Sequence, residues 1–205
     1  MSKNRMEPKP LKPEEIRDFF DALAEEWDER CYHDPRKLRL IVDLCLLPEG
    51  AKILDIGCAT GAMTESLLAA NPAQVVGLDL SPKMIEQAKA KFSDPRTEFL
   101  VADLFEYEET DFDLAMLYSV YPHFMDKAAL AQKVADCLKP GGRFMVAHSE
   151  SRHAINLRHS GGKVEDVSES LRAAEIEVKN WQGLFEIDTL IDHGEFYVVS
   201  GTKRA

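Results

Sequence analysis

Beyond Gly50 the sequence alternates short apolar runs with helical patterns, and this alternation constrains the fold more than any other feature. The runs are apolar along their whole length, which is typical of strands buried on both faces. Strands that alternate with helices predict an α/β fold with a mainly parallel sheet between helical layers. The predicted strands are residues 52–56, 74–78, 98–102, 113–117 and 143–147, and a last, antiparallel strand is expected at 195–201 with its partner near 180–181.

The segment before Gly50 has a different pattern. Residues 1–12 are polar and interrupted by proline, so they predict a flexible arm. Residues 13–49 predict a helical cap of two helices, the second of which starts at Asp34-Pro35. The first carries one apolar stripe at spacings of three and four: Ile16, Phe19, Phe20, Leu23, Ala24 and Trp27. The second has Leu38, Ile41, Val42 and Cys45 as its buried face.

Three of the segments between the strands are predicted to be helices, and a fourth is not. A helix is expected from near Ala62, and Ser81-Pro82 predicts the start of another. A third should end before residues 139–142, whereas 104–111 are too short and too acidic to predict a helix.

Composition limits the classes of partner. With 205 residues the chain has the size of one domain, here 50–205 plus the cap, and its formal net charge is −11. That charge disfavours nucleic acid, because binding a phosphate backbone relies on clustered Lys and Arg. The four cysteines show no metal or disulfide spacing, and no apolar run is long enough for a signal peptide or a membrane span. We therefore expect a cytoplasmic protein that does not act at a membrane.

The first predicted strand leads into a turn of small residues, Gly57-Cys58-Ala59-Thr60-Gly61, preceded by Asp55. Glycine permits close approach of the backbone to a ligand, and the free N–H groups of a following helix favour polar or anionic ligands. Such a turn serves NAD, FAD, other nucleotides and S-adenosylmethionine alike, or is purely structural.

Acidic residues at the ends of the next two strands narrow these alternatives. Asp79 follows the glycines by about twenty residues, the spacing at which a carboxylate accepts both hydroxyls of a ribose. Asp103 ends the third strand, where it can accept from an adenine amino group. Together they predict an adenosine-containing ligand, although the turn lacks the Gly-x-Gly-x-x-Gly spacing of a dinucleotide fold.

In order and spacing, these motifs resemble those of the class I S-adenosylmethionine-dependent methyltransferases. The resemblance covers about residues 50–150, and Phe20 to Trp27 resemble the N-terminal helix of the ubiquinone/menaquinone-biosynthesis type. The motifs that carry it are Asp55-x-Gly57-x-Ala59-x-Gly61, Asp79, Ala102-Asp103-Leu104, Phe112-Asp113-Leu114 and Leu138-Lys139-Pro140-Gly141-Gly142-Arg143-Phe144. It implies a Rossmann-like fold with a seven-stranded, mostly parallel sheet and an N-terminal cap.

The resemblance also implies a role for each motif residue. The turn, including Cys58, would hold the methionine part of S-adenosylmethionine, and Asp55 would orient that turn or its bound water. Asp79 would bind the ribose hydroxyls, and Leu80, Asp103 and Leu104 would contact the adenine. Tyr118 and Ser119 would face the methionine amino group and the sulfonium. Ala59 departs from the family, which has glycine at that position.

Segments after the fourth and fifth strands should border the transferred methyl group, because ligands lie outside the carboxyl ends of parallel strands. They contain His123 and His148, and the link between the cap helices contains Tyr32 and His33. A histidine suits positioning or deprotonation of an acceptor, so these four residues are the candidate catalytic residues. For a histidine the alternative is a satisfied core or surface residue. Tyr32 could stack on an aromatic or isoprenoid substrate, although its spacing indicates core packing first.

The sequence predicts an enzyme that transfers a methyl group from S-adenosylmethionine to a small molecule, as a monomer or homodimer. Three alternatives remain open: a module that binds the cofactor without turnover, a methyltransferase linked to a metal or metalloid through its histidines, and a nicotinamide oxidoreductase. No histidine pair has a known metal-ligand spacing, so no metal ligand is assigned. The Asn/Asp-Pro-Pro-Tyr motif of enzymes that methylate base or amide nitrogens is absent after the fourth strand.

Overall fold

Seven strands form one sheet in the computed structural model, which describes residues 12–204. Their order across the sheet is β3-β2-β1-β4-β5-β7-β6, and β7 runs in the opposite direction to the other six strands. The predicted fold class is therefore confirmed. The strands are β1 (Lys52–Ile56), β2 (Gln74–Asp79), β3 (Thr97–Val101), β4 (Phe112–Tyr118), β5 (Leu138–His148), β6 (Phe185–Asp192) and β7 (Tyr197–Lys203).

Apolar side chains cover both faces of the central strands, which explains their uninterrupted apolar sequences. Leu54 and Ala115 contribute to one core cluster, whereas Ile53 and Leu114, their chain neighbours, contribute to the other. Because side chains alternate across a strand, each central strand supplies both cores. The sheet is thus held between two helical layers, with its carboxyl-end edge left for polar groups.

Nine helices flank the sheet within residues 12–204. Side-chain caps define the N-termini of several of them: Asp34, Ser81, Asp126 and Ser151 each accept a hydrogen bond from a backbone N–H in the first turn. The helices are α1 (Pro13–Asp21), α2 (Trp27–Arg30), α3 (Pro35–Asp43), α4 (Thr64–Leu68), α5 (Pro82–Lys91), α6 (Lys127–Cys137), α7 (Arg152–Arg158), α8 (Lys163–Asp166) and α9 (Ala174–Glu177).

The expectation of one continuous helix from Pro13 to Trp27 is wrong. The α1 helix ends at Asp21, and a 3₁₀ turn at Ala24–Glu26 leads into the short α2. The chain bends because two carboxylates on either side of the break reach the sheet domain: Asp21 accepts from Ser81 and Asp28 accepts from Thr60. The apolar stripe remains, but it wraps over the ends of the strands instead of following one axis.

Other predicted elements agree with the structure to within a few residues. The helix expected near Ala62 is α4, and the acidic segment after the third strand forms only a 3₁₀ turn, Leu104–Glu106. The antiparallel last strand lies two residues later than expected, and its partner β6 starts at Phe185 rather than near 180–181. The β5 strand begins at Leu138 because residues 139–142 form an irregular lead-in opposite Phe112.

The domain boundaries stay a prediction. Residues 1–11 of the expected flexible arm lie outside the described residues. Within 12–204, no helix combines the length and apolarity needed to cross a bilayer.

A candidate ligand site at the carboxyl ends of the strands

A cavity of about 280 Å³ opens at the carboxyl ends of β1, β2 and β4, beneath the N-terminal cap. Seven of the eleven residues expected to bind a cofactor line it: Gly57, Ala59, Asp79, Leu80, Asp103, Leu104 and Ser119. The other four, Asp55, Cys58, Gly61 and Tyr118, lie behind this wall or beside it. Apolar side chains of the cap and of neighbouring loops complete the lining: Pro13, Ile16, Phe20, Trp27, Met84, Phe105, Phe124 and Met125.

The turn after β1 has an unusual backbone. Gly57, Ala59 and Gly61 all have positive φ angles, of 65°, 47° and 88°. A Cβ atom at Gly57 would lie 2.3 Å from Cγ2 of Val120, and one at Gly61 would lie 2.7 Å from the Phe92 ring. Packing as well as φ therefore requires glycine at both positions.

Ala59 and Cys58 occupy the same turn for different reasons. Ala59 adopts the left-handed conformation without being glycine, and its backbone N–H donates to Oδ2 of Asp79 at 2.9 Å. This hydrogen bond joins the β1 turn to the end of β2. Cys58 is buried, with its thiol packed close to Gly77, so the small size of its side chain explains the residue.

Asp79 is fixed by backbone donors on both sides. Its Oδ2 accepts from Ala59 N–H and its Oδ1 from Ser81 N–H, each at 2.9 Å. Burial raises the pKa of Asp79 to about 6, although these hydrogen bonds favour the ionised form. Because a carboxylate oxygen has more than one acceptor site, both oxygens can still accept from a ligand.

Asp55 differs from Asp79 in its surroundings. It is almost completely buried beneath the turn, and its Oδ2 has no hydrogen-bond partner among the described residues. Burial, with a smaller contribution from the negative charge of Asp79, raises the pKa of Asp55 to about 7. Asp55 thus supports the turn from below and offers one polar atom that the protein itself does not use.

The ends of β3 and β4 complete the polar part of the wall. Asp103 accepts from the backbone N–H of Phe105 through Oδ1, which starts the 3₁₀ turn that places Leu104 against the cavity. Ser119 follows β4 with φ +58°, a second non-glycine residue of the wall in the left-handed region. A non-glycine residue in this conformation is strained and persists only where the surrounding structure holds it. Such residues are concentrated at functional sites.

Tyr118 points away from the cavity. Its hydroxyl lies 2.8 Å from Nδ1 of His33 and 2.7 Å from Oγ of Ser149, so it joins the cap to the ends of β4 and β5. Burial raises the pKa of Tyr118 to about 12, which keeps the hydroxyl protonated at neutral pH. Burial also lowers the pKa of His33.

His123 is the one candidate catalytic residue that lines the cavity. Its Nδ1 lies 2.8 Å from the carbonyl oxygen of Val167. Its ring packs edge-to-face with that of Phe20, with the two ring centroids 5.0 Å apart. A carbonyl only accepts, so Nδ1 carries the proton and Nε2 keeps its lone pair. Burial lowers the pKa of His123 to about 4.

The remaining candidates lie farther from the cavity. His148 is completely buried at the end of β5, neither of its ring nitrogens has a partner among residues 12–204, and burial lowers its pKa to about 3. Tyr32 is 83% exposed on the outside of the cap. His159 packs its ring 5.2 Å from that of His123, so the structure brings together His123, His148 and His159 on one side of the sheet and His33 on the other.

Hydrogen bonds across the cap were missed by the sequence analysis. Asp21 accepts from the hydroxyl of Ser81 and from Lys83 N–H, and Asp28 accepts from Thr60 and from Lys91. Their partners are 32 to 63 residues away along the chain, so no local spacing signals them. These contacts hold Phe20 and Trp27 over the cavity.

No group of three or more His, Cys, Asp or Glu side chains has the geometry of a metal site within the described part of the chain. Two of the histidines, His123 and His159, place Nδ1 within hydrogen-bond distance of a backbone carbonyl.

Comparison with known proteins gives three findings. A family model described as a methyltransferase domain matches residues 53–142. The ubiquinone biosynthesis O-methyltransferase of Xanthomonas axonopodis pv. citri is 30% identical over 141 residues, which are 63% of this chain and 59% of that protein. The O-methyltransferase cnsE of Penicillium expansum is 31% identical over 111 residues, 51% of this chain and 40% of that protein. The chain thus spans less than two thirds of the length of these curated relatives.

A solved structure extends the likeness to nearly the whole chain. The N-methyltransferase NodS of Bradyrhizobium japonicum, in complex with S-adenosyl-L-homocysteine, has a TM-score of 0.71 at 17% identity. The match covers 93% of this chain and all of that one. At this identity the match shows the shared fold.

Proposed function

We propose that this chain, which carries a class I S-adenosylmethionine-dependent methyltransferase domain, transfers a methyl group from S-adenosylmethionine to a small-molecule acceptor. One observation carries the proposal. A single cavity is lined, in chain order, by the residues after β1, β2, β3 and β4 that the family uses for this cofactor. A structural turn alone would not bring all four segments to one cavity.

The residues present fit the cofactor. Asp79 has acceptor sites left for two ribose hydroxyls after its two backbone hydrogen bonds. Oδ2 of Asp103 is free to accept from an adenine amino group, beside the apolar contacts of Leu80 and Leu104. The unpartnered Oδ2 of Asp55 is the polar atom beneath the turn through which the methionine end can be oriented.

We propose the turn residues Gly57, Cys58, Ala59 and Gly61 as the binding site of the methionine end, with Ser119 facing the sulfonium. The family resemblance implies that Tyr118 faces the methionine amino group. We propose that it acts there indirectly, because its hydroxyl is hydrogen-bonded to His33 and Ser149. When bound, the cofactor supplies a methyl group already activated by a positive sulfur.

His123 is the residue we propose for acceptor chemistry. Its fixed Nδ1–H leaves the Nε2 lone pair to accept a proton from an acceptor hydroxyl, and its lowered pKa keeps the ring neutral at physiological pH. The names of two curated relatives, both O-methyltransferases, describe transfer to an oxygen atom. His148, His33 and Tyr32 remain proposed participants at the margin of the site.

The acceptor we propose is a small molecule and not a nucleic acid. The formal charge of −11 supports this, as does the cavity wall, in which apolar side chains predominate and no Lys or Arg is present among the described residues. The four free cysteines agree with a reducing compartment, so we place the activity in the cytoplasm.

Calorimetric titration tests the cofactor assignment. S-adenosylmethionine should bind and NADH should not, and Asp79→Ala should remove binding while Asp136→Ala, an exposed carboxylate on α6, should not. Tight NADH binding without S-adenosylmethionine binding would overturn the proposal.

Turnover is tested separately with cofactor labelled in the methyl group. Incubated with cell extract, the protein should release S-adenosylhomocysteine and label a small molecule identified by mass spectrometry. Cofactor binding without any labelled product would instead support a module that binds and does not turn over.

A further inference from the structure

Lys127 is a buried lysine that neither the sequence motifs nor the proposed reaction accounts for. It is the first residue of α6 and only 8% exposed. Lysine is almost never buried without partners, because removing its charge from water is costly. Helix stability does not explain it either, since a cation at a helix N-terminus opposes the helix dipole and Asp126 already caps α6.

Lys127 donates two hydrogen bonds, both to the turn that carries His123, and forms an ion pair with Glu169. Its Nζ donates to the carbonyl oxygen of Tyr121 at 3.0 Å and to that of Phe124. Tyr121–His123 is a 3₁₀ turn, so the ammonium group binds both ends of the turn with the imidazole between them. The nearest carboxylate, that of Glu169, is 3.6 Å away.

Two backbone contacts hold the rest of the turn. The N–H of Glu169 donates to the carbonyl oxygen of Pro122 at 2.8 Å, and the carbonyl oxygen of Val167 accepts from Nδ1 of His123. The carbonyl groups on both sides of His123 are therefore engaged, and one ring nitrogen is fixed. Nε2 is the ring atom left for the cavity.

The charge of Lys127 favours the neutral form of the His123 ring. It adds to the effect of burial in lowering the pKa of His123. A neutral imidazole with a fixed tautomer is the state that can accept a proton at Nε2.

We propose that Lys127 is a positioning residue for His123: its ammonium group fixes the turn at both ends and thereby holds the Nε2 lone pair of the imidazole toward the cavity. This inference rests on the role of His123 in the proposed methyl transfer. It assigns Lys127 an effect on the state of another side chain and no contact with the acceptor.

The state of the His123 ring can be measured without an acceptor. Long-range ¹H–¹⁵N correlation spectra of protein labelled at histidine report the tautomer and the pKa of each ring, and His123→Gln identifies the signals of His123. The wild-type protein should show the Nδ1–H tautomer alone. Lys127→Met should lose this single tautomer and shift the pKa of His123 upward, because both the hydrogen bonds and the charge are removed.

Lys133→Met is the matched control. Lys133 lies on the same helix, is half-buried and donates to a backbone carbonyl, that of Tyr107, which is away from the His123 turn. Its substitution should leave the His123 signals unchanged, and Lys127→Arg, which keeps the charge and the donors, should restore the Nδ1–H tautomer. If Lys127→Met does not fold, Lys127→Gln carries the test with a smaller change in the same direction.

An unchanged tautomer and pKa of His123 in whichever Lys127 variant folds overturns the inference. That result is distinct from a failure of the proposed function, because the spectra do not depend on turnover. With an acceptor identified, Lys127→Met should lower kcat and leave the KM for the cofactor unchanged.

Discussion

Asp55 and Asp79, two aspartates at the turn after β1, have different surroundings and different proposed roles. Asp79 is held by two backbone N–H donors and faces the cavity, whereas Asp55 is sealed beneath it with one oxygen unpartnered. Burial raises the pKa of both. Asp79 has two hydrogen bonds that partly compensate for its burial, whereas Asp55 has none among the described residues, so the ionisation of Asp55 should oppose folding more strongly.

We predict that Asp55→Asn changes the pH dependence of stability. The pKa of Asp55 is about 7 in the fold and near the ordinary 3.8 when unfolded. Between these values the unfolded chain ionises first, so the free energy of unfolding of the wild type should fall as pH rises from about 4 to about 7. Urea denaturation across this range should show that the free energy of unfolding of the variant rises relative to that of the wild type as the pH increases. Asp136→Asn, at an exposed position, is the control. A difference that stays constant with pH would contradict the prediction.

The candidate catalytic histidines are predicted to affect turnover and not cofactor binding. His123→Ala should lower kcat by roughly 10²- to 10⁴-fold, the range for loss of a general base, and His148→Ala should lower it as well. Kinetics with the identified acceptor and calorimetry with S-adenosylhomocysteine separate the two effects. His193→Ala, at an exposed position, is the control. Weakened cofactor binding with normal turnover at saturation would exclude this role.

Motif residues could be found from the sequence because each follows a strand at a fixed place. Asp79 and Asp103 needed only the positions of β2 and β3. Lys127 and Asp28 could not be found in this way. Their roles depend on where a loop or the cap folds back, which is set by contacts between segments that no local pattern encodes.

At the scale of elements, the turn between β1 and α4 and the cap above it determine the shape of the cavity. The turn is rigid because its glycines lack room for a side chain, and the cap is held by hydrogen bonds to the sheet domain. The sequence predicted the turn correctly and predicted the cap as two straight helices. The break after Asp21 was missed because it comes from tertiary hydrogen bonds and not from a helix-breaking residue.

Gly57→Ala and Gly50→Ala form a matched pair for the turn. Both glycines have nearly the same φ, 65° and 69°, but a Cβ at Gly50 meets no atom within 4 Å, whereas one at Gly57 meets Val120. Gly50→Ala should cost only the backbone strain, roughly 1–2 kcal/mol of the free energy of unfolding. Gly57→Ala should cost more and weaken cofactor affinity as well, as chemical denaturation and calorimetry would show. Equal losses in the two variants would argue against the packing constraint.

The cap contacts lead to a prediction about rates. Asp28→Ala removes the acceptor of both Thr60 and Lys91, so the cap should open more often and S-adenosylhomocysteine should dissociate faster. Stopped-flow displacement measures this rate. Asp18→Ala, which removes an exposed pair with Arg17 within α1, should not change it. Identical dissociation rates for the two variants would show that the Asp28 contacts do not hold the cap closed.

At the scale of the whole molecule, the charge of −11 is the dominant long-range property. Part of the negative charge lies in the wall of the cavity, at Asp79 and Asp103, and much of the rest lies on exposed surface such as the segment 106–111. Like charges repel across the compact fold more strongly than across the unfolded chain. The net charge could be predicted in full from the sequence, because it does not depend on the fold.

We predict that moderate salt stabilises the protein. Raising the ionic strength from about 0.01 M to about 0.15 M shortens the Debye length from about 30 Å to about 8 Å and screens this repulsion. The midpoint of thermal unfolding should rise over this range, with an uncharged osmolyte at matched osmolality as control. A falling midpoint would mean that the exposed ion pairs contribute more than the net charge does.

The position of β7 bears on how the chain is assembled during synthesis. This strand, Tyr197–Lys203, is the last in the described chain, yet it lies between β5 and β6. While a ribosome is still making it, β6 has no neighbour to pair with and β5 keeps an open, apolar edge of the kind that attracts other chains. The edge of β5 is therefore covered only after some fifty further residues, up to and including β7, have been synthesised.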